Sequence, residues 1–198
     1  MRKYIAWFIF CAICAPGGFA DTAFANKLVT AAIERTQYRV RYDGRYYTMQ
    51  YPGGDVPADV GVCSDVIIRS FRAVGFDLQV LLHEDMKKNF QLYPQKWGLK
   101  KPDPNIDHRR VPNLQVFFTR YGKVLPTLPD AHLYKPGDIV TWNLRAGGDL
   151  PHIGIVTGKK SAAGTPLVVH NIGNGPQLEN ILFAYEITGH YRYGSDVS

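Results

Sequence analysis

Residues 59–75 read Asp59-Val60-Gly61-Val62-Cys63-Ser64-Asp65-Val66-Ile67-Ile68-Arg69-Ser70-Phe71-Arg72-Ala73-Val74-Gly75. From Cys63 onward, apolar or small residues recur at spacings of three and four, which predicts a helix that buries one side. Gly75 is a natural end for that helix. Cys63 lies on its predicted first turn, where unpaired backbone N–H groups favour a thiolate. Cys63 is therefore a candidate nucleophile, although a free cysteine is more often a small buried apolar residue.

The first 20 residues have the order of a secretory signal peptide. Arg2 and Lys3 precede an apolar run that is too short to span a bilayer, and small residues follow up to Ala20. We expect cleavage after Ala20, with Ala25 as a second candidate site. Residues 21–198 then form a single domain that is periplasmic or secreted, with no stable membrane insertion after cleavage.

Cleavage would leave one cysteine of the three in the chain, because Cys11 and Cys14 lie in the removed segment. An unpaired thiol in an oxidising compartment needs either a partner or a reactive role. The formal net charge of +6 falls to +4 without Arg2 and Lys3, which is too mild to indicate a nucleic-acid partner. We expect no nucleic-acid partner and no cofactor.

The remaining pattern predicts helices first and strands afterwards. Helices are predicted over residues 22–36, from Asp77 onward, and from Pro112 to Tyr121. Strands are predicted over residues 138–144, 152–157, 166–170 and 187–193. The pair Asp43-Gly44, between two tyrosine-rich runs, predicts a hairpin. This order favours an α+β domain in which N-terminal helices pack on a small antiparallel β-sheet.

Two of the six histidines of the predicted mature chain can be placed by strand pairing. If Thr157 pairs with Thr165 across an antiparallel hairpin, His152 lies directly opposite His170. Opposed residues hold their Cβ atoms about 4.5–5.5 Å apart, so the two imidazoles would touch. Gly154 shares their face, and its missing side chain predicts that the cysteine-bearing helix approaches that face.

These residues suggest a three-membered catalytic site. Cys63 would attack, His152 would take its proton, and His170 would orient the imidazole. Asn171 is the alternative orienting residue, but strand alternation points it to the other face, and a register slip of one residue would reverse that ranking. The non-catalytic interpretation of the histidines is a polar cross-strand pair. Metal-binding motifs such as His-Glu-x-x-His and paired cysteines are absent from the sequence, so we predict no metal site.

A dense charge cluster, Asp107-His108-Arg109-Arg110, precedes the Pro112 helix. Its simplest interpretation is a solvated turn. Its functional interpretation is substrate binding, because a planar guanidinium suits a substrate carboxylate.

Several motifs resemble the DUF1287 family of bacterial exported proteins. They are Gly61-Val62-Cys63-Ser64-Asp65, residues 105–114, Gly137-Asp138-Ile139-Val140-Thr141-Trp142, Pro151-His152-Ile153-Gly154-Ile155-Val156 and His170-Asn171-Ile172-Gly173. More distantly, a helical Cys-Ser followed by Gly-Asp-hydrophobic and His-hydrophobic-Gly-Ile resembles the NlpC-type cell-wall cysteine peptidases. Those peptidases usually have Asp before the cysteine and Gly after the serine, where this chain has Val62 and Asp65.

The second resemblance implies a papain-like NlpC-type fold with Cys63, His152 and His170 as the triad. It also implies hydrolysis of amide or peptide bonds in peptidoglycan stem peptides, with peptidoglycan or muropeptides as the substrate. Two other functions stay open: a catalytically inactive cell-wall binding or scaffold module, and an antibacterial amidase effector with an inhibitor or immunity protein as partner. A cysteine L,D-transpeptidase is disfavoured, since Cys63 comes far before His152 in this chain.

Overall fold

The computed structural model describes residues 17–194, with side chains from residue 22 onward. Residues 1–16, which are most of the predicted signal peptide, lie outside the described residues. The helices are α1 Gly17–Arg35, α2 Cys63–Ala73, α3 Leu78–Asn89 and α4 Val111–Tyr121. The strands are β1 Arg41–Tyr42, β2 Val60–Gly61, β3 Lys123–Val124, β4 Ile139–Asn143, β5 Pro151–Lys160, β6 Pro166–His170, β7 Gln177–Glu179 and β8 Glu186–Arg192.

The helices come first and the main sheet follows, which confirms the predicted α+β class. Six strands form an antiparallel sheet in the order β3-β8-β4-β5-β6-β7. The short strands β1 and β2 pair in parallel as a separate two-stranded sheet. Strands β3 and β7 have two and three residues, and neither was predicted from the sequence.

The larger apolar core lies between the helices and one face of the six-stranded sheet. Ile67 and Phe71 of α2 are fully buried there beside Leu28 of α1. Ile153 and Ile155 of β5 supply the sheet side of the same core. The apolar stripe of α2 predicted the buried side of this helix correctly, and burying such side chains stabilises the fold by about 1.5–3 kcal/mol each.

A second, smaller apolar cluster covers the opposite face of the sheet. Trp142, Val156 and Val168 are fully buried in it, and the Trp142 indole N–H donates to the carbonyl of Leu182 at 3.0 Å. Both faces of β5 are therefore covered.

The predicted register between β5 and β6 is wrong by two residues. Ile155 pairs with Val169 and Val156 with Val168, and the ladder is irregular between Val156 and Lys160. In that irregular region the Thr157 hydroxyl donates to the carbonyl of Leu167 at 2.8 Å, where a regular ladder would place a backbone bond. A shift of two residues keeps side chains on the same face. His152 and His170 therefore still share a face, though they are not directly opposed.

The side on which α2 packs also differs from the prediction. Cys63 and Ile67 share their core with Ile153, Ile155 and Val169, so the helix covers the face opposite the histidines. Gly154 serves a different purpose. A Cβ at that position would lie 2.6 Å from Val168 Cγ1, 3.0 Å from the Val169 carbonyl oxygen and 3.2 Å from His170 Cβ, so the glycine makes room for this stretch of β6, including His170.

The predicted hairpin at Asp43-Gly44 does not form. Strand β1 pairs with β2 instead, and the buried Asp43 carboxylate is hydrogen-bonded to residues that follow it in the chain. It accepts hydrogen bonds from the Arg45 backbone N–H at 3.0 Å and from the Tyr47 hydroxyl at 2.8 Å. The chain therefore wraps around a carboxylate at this point and does not turn back into a second strand.

Candidate active site

Cys63 is the first residue of α2 and is only 4% exposed. The helix begins here because the extended Val62 precedes it and the Asp65 carboxylate accepts the Val62 backbone N–H at 2.6 Å. Burial raises the pKa of the Cys63 thiol to about 11, although backbone N–H groups of Ile153, Ser64 and Cys63 itself oppose that shift. The sequence-based expectation of a thiolate is therefore wrong for this state, since burial outweighs the helix N-terminus.

Tyr42 is a neighbour of the thiol from the N-terminal segment. Burial together with the nearby Cys63 sulfur raises the pKa of the Tyr42 hydroxyl. The partly exposed rings of Tyr42, Tyr46 and Trp97 line a cleft of about 490 Å³ that contains Cys63. The nucleophile candidate thus lies at the bottom of a cleft with an aromatic rim.

His152 and His170 are in direct contact. The Nε2 atom of His152 lies 2.9 Å from Nδ1 of His170, the two rings are nearly perpendicular, and both side chains are buried. Burial lowers the pKa of His152 to about 3, and the neighbouring His170 adds to the shift. The His152 ring lies beside Trp142, whose cluster covers the face of the sheet opposite α2.

A carboxylate follows the histidine pair. Glu179 Oε2 of β7 lies 2.9 Å from Nε2 of His170 but off the axis of the ring N–H bond. The Glu179 side chain is 39% exposed, so it has room to align with that N–H. Sequence reasoning missed Glu179, because a three-residue strand carries too little alternation to be recognised.

Cys63 reaches the sheet at the peptide unit next to His152. The backbone N–H of Ile153 lies close enough to Sγ to lower the pKa of the thiol, and that nitrogen is bonded to the carbonyl carbon of His152. Pro151, on the other side of His152, lines the Cys63 cleft. Within residues 17–194, no hydrogen bond joins Sγ to an imidazole nitrogen. The structure thus joins the two histidines directly and places the thiol one peptide unit from His152.

Asn171, the alternative orienting residue, is occupied elsewhere. Its amide nitrogen donates to the carbonyl of Gly61 at 3.4 Å, and its amide oxygen accepts the Gly173 backbone N–H at 3.0 Å. The first bond ties the end of β6 to the strand that leads into Cys63, and the second is local to the turn after β6. Contact with His152 is made by His170, so the geometry favours His170 for the orienting role.

Asp107, His108 and Arg109 are buried and Arg110 is partly exposed, so the cluster is not the solvated turn that its charges suggest. Asp107 and His108 are 1% and 2% exposed, and burial lowers the pKa of His108 to about 4. Arg109 makes a two-point ion pair with Asp65 at 2.9 and 3.0 Å. Arg110 donates to Asp107 at 3.0 Å and lies 4.1 Å over the ring of Trp97. Only the two arginines of the cluster line the Cys63 cleft.

A second groove of about 580 Å³ adjoins the cleft. Pro112 and Pro151 line both of them and form the ridge between the two. The lining of the second groove is mostly apolar and includes Val116 and Trp142, with polar side chains at Gln115, Thr119 and Asn143. The cleft and the groove together offer binding space on both sides of this ridge.

Across residues 17–194, no group of three or more His, Cys, Asp or Glu side chains is placed to hold a metal ion. Over the same residues, no helix combines the length and apolar character needed to cross a membrane.

Fold and site together define an α+β domain with a cysteine at the start of a helix and a histidine pair on the adjoining sheet. The chain belongs to the DUF1287 family, whose description is a domain of unknown function and whose sequence model matches residues 29–193. This confirms the family resemblance that its motifs carry. The uncharacterized protein YijF of Escherichia coli (strain K12) is 57% identical over 152 residues, which are 77% of this chain and 73% of that protein.

Two solved structures are also similar. One is described as similar to a lipoprotein of the NLP/P60 family from Staphylococcus aureus subsp. aureus Mu50, with 12% identity and a TM-score of 0.41. That match covers 88% of this chain but only 42% of the staphylococcal one. The other is an N-acetylmuramoyl-L-alanine amidase from Bacteroides uniformis ATCC 8492, with 15% identity, a TM-score of 0.44, and coverage of 86% of this chain and 98% of that one.

Proposed function

We propose that this protein is an exported cysteine amidase or endopeptidase that hydrolyses amide or peptide bonds in peptidoglycan stem peptides. Cys63 is the nucleophile, His152 the general base and His170 the orienting residue. The observation that carries the proposal is the 2.9 Å contact between the two imidazoles next to the peptide unit whose N–H contacts Sγ. Nucleophile, base and orienting group in series are the arrangement that activated thiols use.

The reaction begins from a neutral thiol and a neutral imidazole, because burial raises the pKa of Cys63 and lowers that of His152. As Sγ attacks the carbonyl carbon, its proton passes to His152, so no free thiolate has to accumulate. Cys63 packs on the α2 side of β5 and the His152 ring lies beside Trp142 on the other side, so this step needs Sγ and the imidazole to come within hydrogen-bond reach when substrate binds. The backbone N–H of Cys63 is the first candidate donor to the oxyanion.

The second half of the reaction releases both products. Protonated His152 gives its proton to the leaving amine as the C–N bond breaks, which leaves a thioester on Cys63. His152 then takes a proton from a water molecule that attacks the thioester carbon. Cleavage of the C–S bond returns the thiol and releases a carboxylic acid.

Of the charged cluster, we assign substrate binding to Arg110 and internal support to Asp107, His108 and Arg109. Arg110 lines the cleft and is partly exposed, whereas Arg109 is committed to Asp65. A guanidinium at the cleft wall suits the free carboxylates of a peptide substrate. Hydrolysis takes place in the periplasm or outside the cell. The segment up to residue 20 is the signal peptide, and residues 21–198 form a single domain. An inhibitor or immunity protein would accompany the effector variant of this function.

A second candidate is a catalytically inactive cell-wall binding module. The observation that favours it is the buried thiol, whose raised pKa keeps it protonated at neutral pH and whose sulfur has no imidazole partner within residues 17–194. Such a module would use the aromatic rim for binding and have no turnover.

Digestion of purified peptidoglycan separates the two candidates. The mature protein and its Cys63→Ala variant are incubated with sacculi, and released fragments are resolved by mass spectrometry. New fragments from the parent protein that vanish with Cys63→Ala support the hydrolase and identify the bond that is cut. If neither protein releases fragments while both bind sacculi, the hydrolase proposal fails and the binding module replaces it.

A further inference from the structure

The histidine pair continues into a carboxylate on the next strand. Val168 pairs with Glu179 and His170 with Gln177 across β6 and β7, so Glu179 lies diagonally opposite His170 on the same face of the sheet. Two contacts of 2.9 Å follow one another along this face, from His152 Nε2 to His170 Nδ1 and from His170 Nε2 to Glu179 Oε2. The result is a row of three polar side chains across three neighbouring strands.

The row runs from the interior to the surface. His152 and His170 are buried, while the Glu179 side chain is partly exposed. The titratable groups that face His170 are His152 from β5 and Glu179 from β7. Buried polar atoms are nearly always hydrogen-bonded, and the Glu179 carboxylate lies within hydrogen-bond distance of Nε2 of His170.

We propose that Glu179 is a positioning residue that fixes the protonated nitrogen of both histidines. This role rests on the proposed function, because it matters for catalysis only if His152 is the general base. Neither the family description nor any sequence motif assigns a role to Glu179.

The number of protons that each group holds determines which ring nitrogens are protonated. An ionised carboxylate only accepts hydrogen bonds, so Nε2 of His170 must carry the proton that faces Glu179. A neutral imidazole has one N–H, so Nδ1 of His170 is an acceptor. The contact with His152 then needs a proton on Nε2 of His152. This leaves Nδ1 of His152 without a proton and able to take the one from Cys63.

The carboxylate also stabilises the charged form of the base. When His152 gains the Cys63 proton it becomes positive, and its Nε2–H still donates to His170. His170 Nε2 in turn lies 2.9 Å from the negative Glu179, so the new charge is coupled to a carboxylate through the contact between the two rings and this ion-pair contact. A neutral group in place of Glu179 gives no such stabilisation and does not determine which nitrogen of His170 is protonated.

The direct test measures the protonated nitrogen by 15N NMR of the imidazoles. Samples with 15N-labelled histidine carry Cys63→Ala, so that no reaction interferes, and signals are assigned with His152→Asn. The parent should show both rings protonated at Nε2. Glu179→Gln should give a mixture of forms for both rings, because an amide either donates or accepts. Glu186→Gln, which removes an exposed carboxylate at the start of β8, should match the parent.

An unchanged 15N pattern in Glu179→Gln overturns the proposal, as does a parent protein with His170 protonated at Nδ1. This measurement does not depend on turnover, so it decides the role of Glu179 in proton placement even if the hydrolase proposal fails.

The second readout is kinetic and uses protein with Cys63 in place. A general base contributes about 10²–10⁴-fold, so Glu179→Gln should lower kcat about tenfold or more while KM changes less than about twofold. Glu179→Asp, which restores the charge, should recover part of kcat. Unchanged kcat in Glu179→Gln, with active parent protein, overturns the positioning role. An inactive parent protein overturns the proposed function and leaves the NMR result standing.

Discussion

Arg109 and Asp65 form a buried two-point ion pair that joins the turn before α4 to the helix that begins with Cys63. Their side chains are 2% and 4% exposed. The same guanidinium donates to the carbonyls of Asp43 at 3.0 Å and Arg45 at 2.9 Å, while the same carboxylate accepts the Val62 N–H. One pair thus holds the cysteine, the segment after Tyr42 and the turn before α4 in fixed relation.

Removing Arg109 should therefore destabilise the fold. Breaking a buried ion pair from one side leaves an uncompensated charge, so we expect Arg109→Ala to lower the free energy of unfolding by about 3–5 kcal/mol. Denaturant unfolding measures this, with the exposed Lys88→Ala as a control that should change by less than about 0.5 kcal/mol. An unchanged unfolding free energy together with a raised KM would instead make Arg109 a substrate contact.

Adding one methyl group at Gly154 should disturb the histidine pair. The new Cβ would meet Val168 and His170, and such overpacking costs about 1–3 kcal/mol. Gly158→Ala on the same strand is the matched control, because its Cβ would meet only Pro136 Cγ at 3.5 Å. We expect Gly154→Ala to lose hydrolysis of stem peptides at a temperature where it is still folded, and Gly158→Ala to retain it. Full activity of Gly154→Ala would show that His170 need not stay in place.

The raised pKa of Cys63 predicts how its alkylation depends on pH. A thiol with a pKa of about 11 is almost wholly protonated at neutral pH, and only the thiolate reacts. The rate with iodoacetamide should rise about tenfold per pH unit between pH 7 and 10, whereas an ordinary thiol levels off near its pKa of about 8.5. N-acetylcysteine serves as the reference thiol. A rate that is already constant below pH 8 would mean that a thiolate is paired with an imidazolium.

The groove beyond the two prolines should bind one end of a longer substrate. Thr119 is an exposed residue that lines it, and Thr119→Trp would fill part of its volume. We expect about a tenfold rise in KM for long or cross-linked stem peptides with kcat unchanged, because binding is lost equally in the ground and transition states. Dipeptide substrates and the remote variant Lys88→Trp should show no change. An equal rise for every substrate would place the effect at the cleft itself.

Local features of the sequence predicted the helices well. The stripe after Cys63, the Asp77 cap and Pro112 in the first turn are all short-range signals, and α2, α3 and α4 begin within one residue of where these signals place them. The contact of His152 with His170 was also predicted, although the register was wrong, because an error of two residues preserves the face.

Features that depend on distant residues were not predictable in this way. Both faces of β5 carry apolar residues, so alternation alone could not say which face α2 covers. The charges of Arg109 suggest a solvated turn until its partner Asp65, 44 residues earlier, is known. Burial of Cys63 depends on the whole core. It raises the pKa of the thiol, whereas the position at the start of a helix suggested a lowered pKa.

Pro112 and Pro151, on the ridge between the cleft and the second groove, restrict how a substrate can be recognised. Neither ring offers a backbone N–H, and each fixes its own φ angle. A peptide that crosses the ridge therefore cannot add itself to the sheet as another strand through main-chain pairing there. The main-chain carbonyls of such a peptide must therefore find their hydrogen-bond donors on either side of the ridge, in the cleft or in the second groove.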